Sequence, residues 1–128
     1  MTSELGVKKV LVADDDEDIR RLTMAIMSQY GCEVVGAEDG QELIDVALRE
    51  KPDLMIVDVV LPVYSGYDAM AILVNEKNFS CPVLFYSAVA KDITLYRAHK
   101  PKCPSAFMLK PFTEGEMIEQ IRALMDQV

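Results

Sequence analysis

Short apolar runs alternate along this chain with longer amphipathic stretches. The apolar runs predict strands, and they are KKVLVAD, CEVVGA, DLMIVD, PVLFYS and AFMLK, beginning at residues 8, 32, 53, 82 and 106. All but CEVVGA are apolar without alternation, which is typical of parallel strands that are covered on both faces. The hydrophobic pattern therefore predicts a parallel sheet.

The segments between these strands have apolar residues at helical spacing. The apolar stripes are Ile19, Leu22, Ile26 and Met27; Leu43, Ile44, Ala47 and Leu48; Met70, Leu73 and Val74; and Met117, Ile118, Ile121, Leu124 and Met125. Capping-box spacings at Asp39 and Thr113 indicate where two of the helices begin. Because crossovers between parallel strands are right-handed, helices should cover both faces. We predict an α/β fold with a doubly wound, five-stranded parallel sheet.

The weakest predicted helix is KDITLYRAH, which begins at residue 91. It contains the β-branched pair Ile93 and Thr94, and Pro101 and Pro104 follow it closely. We expect a short or irregular helix there.

Polar residues stand where the strands end. They are Asp14 and Asp15 after the first strand, Asp58 in the third, Ser87 in the fourth and Lys110 in the fifth. The carboxyl ends of parallel strands share one edge of the sheet, where ligands bind. Carboxylates with no His or Cys nearby favour Mg²⁺, and an ammonium and a hydroxyl beside them favour an oxyanion. A carboxylate can itself accept a phosphoryl group, so this edge predicts phosphoryl-transfer chemistry.

The alternative is a purely structural role, in which each polar residue only ends its strand or caps the next helix. We adopt it for Asp16, Glu17 and Asp18, because acids in a first helical turn interact favourably with the helix dipole. For the strand-end set we prefer the functional interpretation, since clusters of charged groups mark sites.

Composition narrows the class of protein. A net charge of −8 argues against nucleic-acid binding by this domain alone. The 3 cysteines form no CxxC pair, so we expect free thiols in a reducing compartment. The start of the chain lacks a signal-peptide core, and the longest apolar stretch is too short for a bilayer and contains Asp58. We expect a cytoplasmic protein with no membrane contact, in which residues 1–128 form one domain with its core at about 8–127.

Taken in order, five motifs resemble those of the receiver domain of bacterial two-component response regulators, the CheY-like family. They are DD after the first strand, VD in the third, LPVYSG just after it, SA at the fourth and KPF at the fifth. The resemblance extends from about Lys8 to the C-terminus. It implies a flavodoxin-like sheet with strand order 2-1-3-4-5, and a signalling phospho-acceptor rather than an enzyme. The implied partners are a histidine kinase or phosphotransfer protein and a downstream protein target or output domain.

The resemblance also implies roles at the acidic cluster. Asp58 would accept the phosphoryl group from a phosphohistidine. Asp15 would bind Mg²⁺ directly and Asp14 largely through water, and the backbone carbonyl of Val60 would be a further ligand.

A second set of roles concerns the response to phosphorylation. Lys110 would pair with Asp58 or with the phosphoryl oxygens, and its peptide bond to Pro111 would be cis. Ser87 would hydrogen-bond the phosphoryl group, and Phe107 would be the aromatic switch, although an aromatic in a strand is also ordinary core. The change would be read on the face of the fourth helix, fifth strand and fifth helix, where a homodimer could also form.

The chain departs from the family pattern in two places. Val60 and Val89 stand two residues beyond Asp58 and Ser87, and apolar side chains there should shield an acyl phosphate from water. The segment HKPKCPSAF lacks the usual Gly-Ala turn. Together with the helix before it, this segment is rich in basic residues, which form either a solvated face or a docking surface for an acidic partner: Lys91, Arg97, His99, Lys100 and Lys102. We expect His99 to be exposed.

Two other functions stay open on the sequence. One is a small Mg²⁺-dependent phosphatase that uses Asp58 as its nucleophile, similar to haloacid dehalogenases; against it, the chain has no room for a cap domain. The other is a pseudo-receiver that only makes protein contacts. The sequence also leaves open whether the domain acts alone or within a larger regulator.

Overall fold

Strands and helices alternate strictly along residues 4–128, which are the residues that the computed structural model describes. The strands are β1 (Lys9–Ala13), β2 (Glu33–Ala37), β3 (Leu54–Asp58), β4 (Val83–Ser87) and β5 (Ser105–Leu109). The helices are α1 (Glu17–Gln29), α2 (Gly40–Glu50), α3 (Gly66–Glu76), α4 (Asp92–His99) and α5 (Glu114–Met125). Every predicted element is present. That residues 1–128 form one domain stays a prediction, and its first three residues lie outside the described part.

The five strands form one parallel sheet in the order β2-β1-β3-β4-β5. The predicted fold class and strand order are confirmed. Ala13 of β1 pairs with Val57 of β3, and Asp58 pairs with Tyr86 of β4. This register brings the ends of β1, β3 and β4 level at one edge of the sheet.

Alternate residues of the strands pack into two hydrophobic layers. In β1, Leu11 and Ala13 pack with α2, α3 and α4 on one face, whereas Val10 and Val12 pack with α1 and α5 on the other. Because β1, β3 and β4 contribute to both layers, their side chains are buried, apart from the partly exposed Lys9 at the start of β1, as the continuous apolar runs predicted.

Side-chain caps fix where the helices begin. Asp16 accepts hydrogen bonds from the backbone N–H groups of Asp18 and Ile19 at the start of α1, so its capping role is the one expected. Thr113 forms both bonds of a capping box at α5. At α2, Asp39 accepts from the N–H of Glu42, which is the first half of such a box.

The fourth helix is short, as predicted. It has 8 residues and no side-chain N-cap bond. Its buried residues are Asp92 and Tyr96, and the Tyr96 hydroxyl lies 2.8 Å from that of Ser105 on β5. No helix in residues 4–128 combines the length and apolar character that crossing a bilayer requires.

Candidate functional site

Three carboxylates meet at the carboxyl edge of the sheet. Asp14 follows β1 and is fully buried, Asp15 beside it is exposed, and Asp58 at the end of β3 is 5% exposed. One carboxylate oxygen from each of the three lies within 4.8 Å of the others. The structure therefore brings together the acidic residues that the strand ends predicted.

Lys110, just after β5, supplies the positive charge at this cluster. Its Nζ lies 2.8 Å from Oδ2 of Asp58 and 3.0 Å from Oδ2 of Asp14. Burial by itself lowers the pKa of Lys110, but its hydrogen bonds to the two carboxylates outweigh burial and raise that pKa above its usual value. Lys110 is therefore charged. The peptide bond from Lys110 to Pro111 is cis.

Asp58 is held from two sides. Lys110 contacts Oδ2, and the backbone N–H of Val60 donates to Oδ1 at 3.0 Å. Burial raises the pKa of Asp58, while the bonds from Lys110 and Val60 lower it, and burial prevails. Burial makes the charged form of this carboxylate unfavourable. Binding a further cation, or forming an ester, would therefore stabilise it.

The loop after β3 packs tightly below Asp58. Val60 is 57% exposed, and no donor in residues 4–128 hydrogen-bonds to its backbone carbonyl. The N–H of Gly66 donates to the carbonyl of Val59 at 2.8 Å. A Cβ at Gly66 would stand 2.5 Å from the carbonyl oxygen of Asp58, so only glycine fits there.

Tyr86 is a site residue that the sequence analysis missed. Its hydroxyl donates to Oδ2 of Asp14 at 2.6 Å, and its ring lies 4.5 Å below Nζ of Lys110. Burial is the main cause that raises the pKa of Tyr86, and the negative charge of Asp14 is the next. The phenol therefore keeps its proton. Oδ1 of Asp14 accepts the N–H of Asp16 at 2.9 Å. The Asp14 carboxylate thus accepts hydrogen bonds from three donors of the protein itself: Tyr86, Lys110 and the backbone N–H of Asp16.

Ser87 ends β4 as predicted, but its hydroxyl is engaged elsewhere. It donates to Oδ2 of Asp92 at 2.6 Å and accepts from the N–H of Val89 at 3.1 Å. Asp92 was not predicted as a site residue. Val89 is 38% exposed, so with Val60 it places apolar surface around the site.

Phe107 is partly buried on the face of the sheet that packs with α2, α3 and α4. Its ring centroid is 5.8 Å from that of Tyr96 on α4. This position suits both interpretations of the residue, core and switch, and its role stays a prediction.

The basic residues of the α4 region are exposed. His99, Lys100 and Lys102 border a groove of about 290 Å³ beside α3, where the His99 ring stacks on Tyr67 at 6.2 Å. The expected exposure of His99 is confirmed. Whether this surface binds an acidic partner stays a prediction.

Known proteins show similarity over most of the chain. The family model described as "Response regulator receiver domain" matches residues 10–122. The probable transcriptional regulator ycf27 of Cyanophora paradoxa is 32% identical over 122 residues, which cover 95% of this chain and 50% of that protein. Protein PilG of Pseudomonas aeruginosa is 31% identical over 118 residues, covering 90% and 85% of the two chains.

A solved structure extends the similarity to three dimensions. The receiver domain of Francisella response regulator 1452 superposes with a TM-score of 0.78 at 25% identity, over 94% of this chain and 98% of that one. The present chain spans about half the length of the first curated relatives that it matches.

Proposed function

We propose that this chain, which belongs to the response regulator receiver family, is a phosphorylation-dependent switch. Its phospho-acceptor is Asp58. Members of this family are signalling phospho-acceptors rather than enzymes. One observation supports the proposal above the others: the carboxylates of Asp14, Asp15 and Asp58 converge beside the ammonium of Lys110. A pseudo-receiver that only makes protein contacts has no need of such a cluster.

The proposed transfer exchanges one bond to phosphorus for another. A carboxylate oxygen of Asp58 attacks the phosphorus of a partner's phosphohistidine, so an O–P bond forms as the N–P bond breaks. The imidazole nitrogen keeps the electron pair of the broken bond. Lys110, already 2.8 Å from Asp58, would then lie beside the phosphoryl oxygens and offset their charge.

The donor set fits Mg²⁺, which prefers a few carboxylate oxygens and retains several waters. Asp15 would hold the ion directly, because its carboxylate makes no hydrogen bond or ion pair within residues 4–128. Asp14 would hold it through water, because its oxygens already accept from Tyr86, Lys110 and Asp16. Asp58 and the free carbonyl of Val60 would complete the protein ligands. When bound, Mg²⁺ supplies charge neutralisation for phosphoryl transfer.

A recess beside Lys110 suits the phosphodonor partner. It encloses about 340 Å³ and is almost entirely apolar, and its lining residues are Ile19, Leu22, Ala88, Lys110, Pro111 and Phe112. Leu22 is 58% exposed and forms part of this apolar surface. We propose that a histidine kinase or phosphotransfer protein docks at this recess. A downstream target or output domain, a homodimer through the α4–β5–α5 face and a cytoplasmic location stay predictions.

Intact-mass spectrometry tests the proposal. The protein is incubated with acetyl phosphate, with and without Mg²⁺, as wild type, Asp58→Asn and Asp68→Asn. Asp68 is an exposed acid in the first turn of α3 and serves as the matched control. We expect one phosphate adduct per chain in wild type and Asp68→Asn, only with Mg²⁺, and none in Asp58→Asn. An adduct that survives in Asp58→Asn, or continued turnover of a phosphate ester, would contradict the proposal.

A further inference from the structure

The Ser87 hydroxyl donates its single proton in a hydrogen bond to α4. That proton lies on the 2.6 Å hydrogen bond to Oδ2 of Asp92, and the hydroxyl oxygen accepts the N–H of Val89. A serine hydroxyl can donate only one hydrogen bond. While it donates to Asp92, it cannot donate to a phosphoryl group on Asp58.

Asp92 is held at both its side chain and its backbone. It is the first residue of α4 and is only 6% exposed. The bond from Ser87 is the only hydrogen bond or ion pair that its carboxylate makes within residues 4–128. Its backbone carbonyl accepts from the Tyr67 hydroxyl at 2.8 Å. One residue therefore joins the start of α4 to the end of β4 and to α3.

We infer that Asp92 is a positioning residue of the switch, which holds the Ser87 hydroxyl in the unphosphorylated state. Phosphorylation of Asp58 would exchange one acceptor for another: the Ser87 proton leaves Asp92 and bonds a phosphoryl oxygen. The inference rests on the proposed function, because it requires a phosphoryl group on Asp58.

The exchange has a consequence for α4. Once Ser87 turns away, Asp92 is a buried carboxylate without a donor, which is costly. In the described residues the carboxylate has no second donor, so it would regain hydrogen bonds from water, and a shift of the first turn of α4 would admit that water. The Ser87–Asp92 bond thus links the chemistry at β3 to a movement at the start of α4, while the bond from Tyr67 limits that movement.

The same bond opposes activation. A hydrogen bond to a carboxylate is roughly twice as strong as a neutral one. Its free energy favours the unphosphorylated arrangement, so weakening it should shift the population toward the phosphorylated one. A merely structural acid at a helix start would act through the helix dipole, and that effect would not depend on Ser87.

A double-mutant cycle separates these two roles. Wild type, Asp92→Asn, Ser87→Ala and the double variant are titrated with fluoroberyllate, an analogue of the phosphoryl group, at saturating Mg²⁺ and followed by NMR. Asparagine keeps the shape of aspartate but weakens its acceptor. We expect Asp92→Asn to bind fluoroberyllate about tenfold more tightly than wild type, since it loses a charge-assisted bond only in the unbound state. In the Ser87→Ala background, the same substitution should have no effect.

Each outcome decides the inference. Equal affinity of Asp92→Asn and wild type, or an equal gain with and without Ser87, shows that Asp92 does not act through Ser87. Asp68→Asn controls for the loss of one acid in a first helical turn. If Asp92→Asn does not fold, Asp92→Ser carries the same expectation. Failure of wild type to bind fluoroberyllate overturns the proposed function as well, whereas binding that requires Asp58 but ignores Asp92 overturns this inference alone.

Discussion

The phenol of Tyr86 donates a 2.6 Å hydrogen bond to the buried carboxylate of Asp14, across 72 positions of sequence. Asp14 follows β1, Tyr86 is the last but one residue of β4, and β3 lies between these two strands. Lys110 contacts the same carboxylate oxygen of Asp14. A charge-assisted bond of this length fixes the orientation of Asp14 and partly offsets its charge. The phenol therefore competes with a cation for the same oxygen.

Replacing Tyr86 with phenylalanine should strengthen Mg²⁺ binding and weaken the metal-free fold. The ring below Lys110 is retained, but Asp14 loses a donor, which should lower the free energy of unfolding by about 1–3 kcal/mol. Asp14 would then have a free lone pair and a less compensated negative charge, and both should tighten Mg²⁺ binding several-fold. Calorimetric titration and urea unfolding with and without Mg²⁺ measure both effects. Tyr30→Phe, which removes a hydroxyl that has no hydrogen-bond partner in residues 4–128, is the control. Unchanged Mg²⁺ affinity would show that Tyr86 does not tune Asp14.

Removing the ammonium of Lys110 should make the fold depend on Mg²⁺. In Lys110→Met, the carboxylates of Asp14 and Asp58 would face each other without a cation, and we expect a loss of about 2 kcal/mol or more in metal-free buffer. Mg²⁺ should restore most of that loss, because it supplies the missing charge. Thermal unfolding in EDTA and in excess Mg²⁺ checks this.

Lys9→Met is the matched control for that experiment. Lys9 also forms an ion pair, at 3.1 Å with Glu50, but at the opposite end of the sheet and partly in solvent. Because ion pairs in solvent contribute little to stability, its loss should cost much less than the loss of Lys110, with no Mg²⁺ dependence. If the two lysine variants respond alike to Mg²⁺, the charge balance at the acidic cluster is not what stabilises the fold.

The sequence predicted the acidic site because strand ends are visible in a hydrophobic pattern. Asp14, Asp58 and Lys110 each follow an apolar run, and parallel strands bring such ends to one edge. Tyr86 and Asp92 were missed because their roles depend on contacts between separate elements. In PVLFYS, Tyr86 looks like an ordinary core residue. The hydroxyl of a buried tyrosine usually needs a hydrogen-bond partner, and that need was the one signal available in the sequence. Asp92 stands in a weak, basic helix where nothing in the pattern indicates burial.

The loop after β3 provides a test of packing. Gly66→Ala places a methyl group 2.5 Å from the backbone oxygen of Asp58, so the loop or the strand must shift. We expect a loss of about 1–3 kcal/mol in unfolding free energy, typical of overpacking, and slower labelling of Asp58 by acetyl phosphate. Gly115→Ala is the control, because its Cβ would meet nothing closer than 3.9 Å inside α5, where alanine is the better helix former. Equal stability of the two variants would mean that Gly66 is not needed for close packing.

The lifetime of the phosphorylated form should depend on Val60 and Val89. These residues are 57% and 38% exposed and stand two residues beyond Asp58 and Ser87, and their side chains offer an attacking water no hydrogen-bond partner. We expect slow self-dephosphorylation in wild type, and release about tenfold faster in Val60→Asn/Val89→Glu, equivalent to about 1.4 kcal/mol in the barrier, because polar groups there can orient the water. The measurement is decay of the phosphate adduct by intact mass after removal of acetyl phosphate, with Val63→Asn, also exposed in the loop after β3, as the control. Equal decay rates in the double variant and wild type would show that shielding by these valines does not set the lifetime.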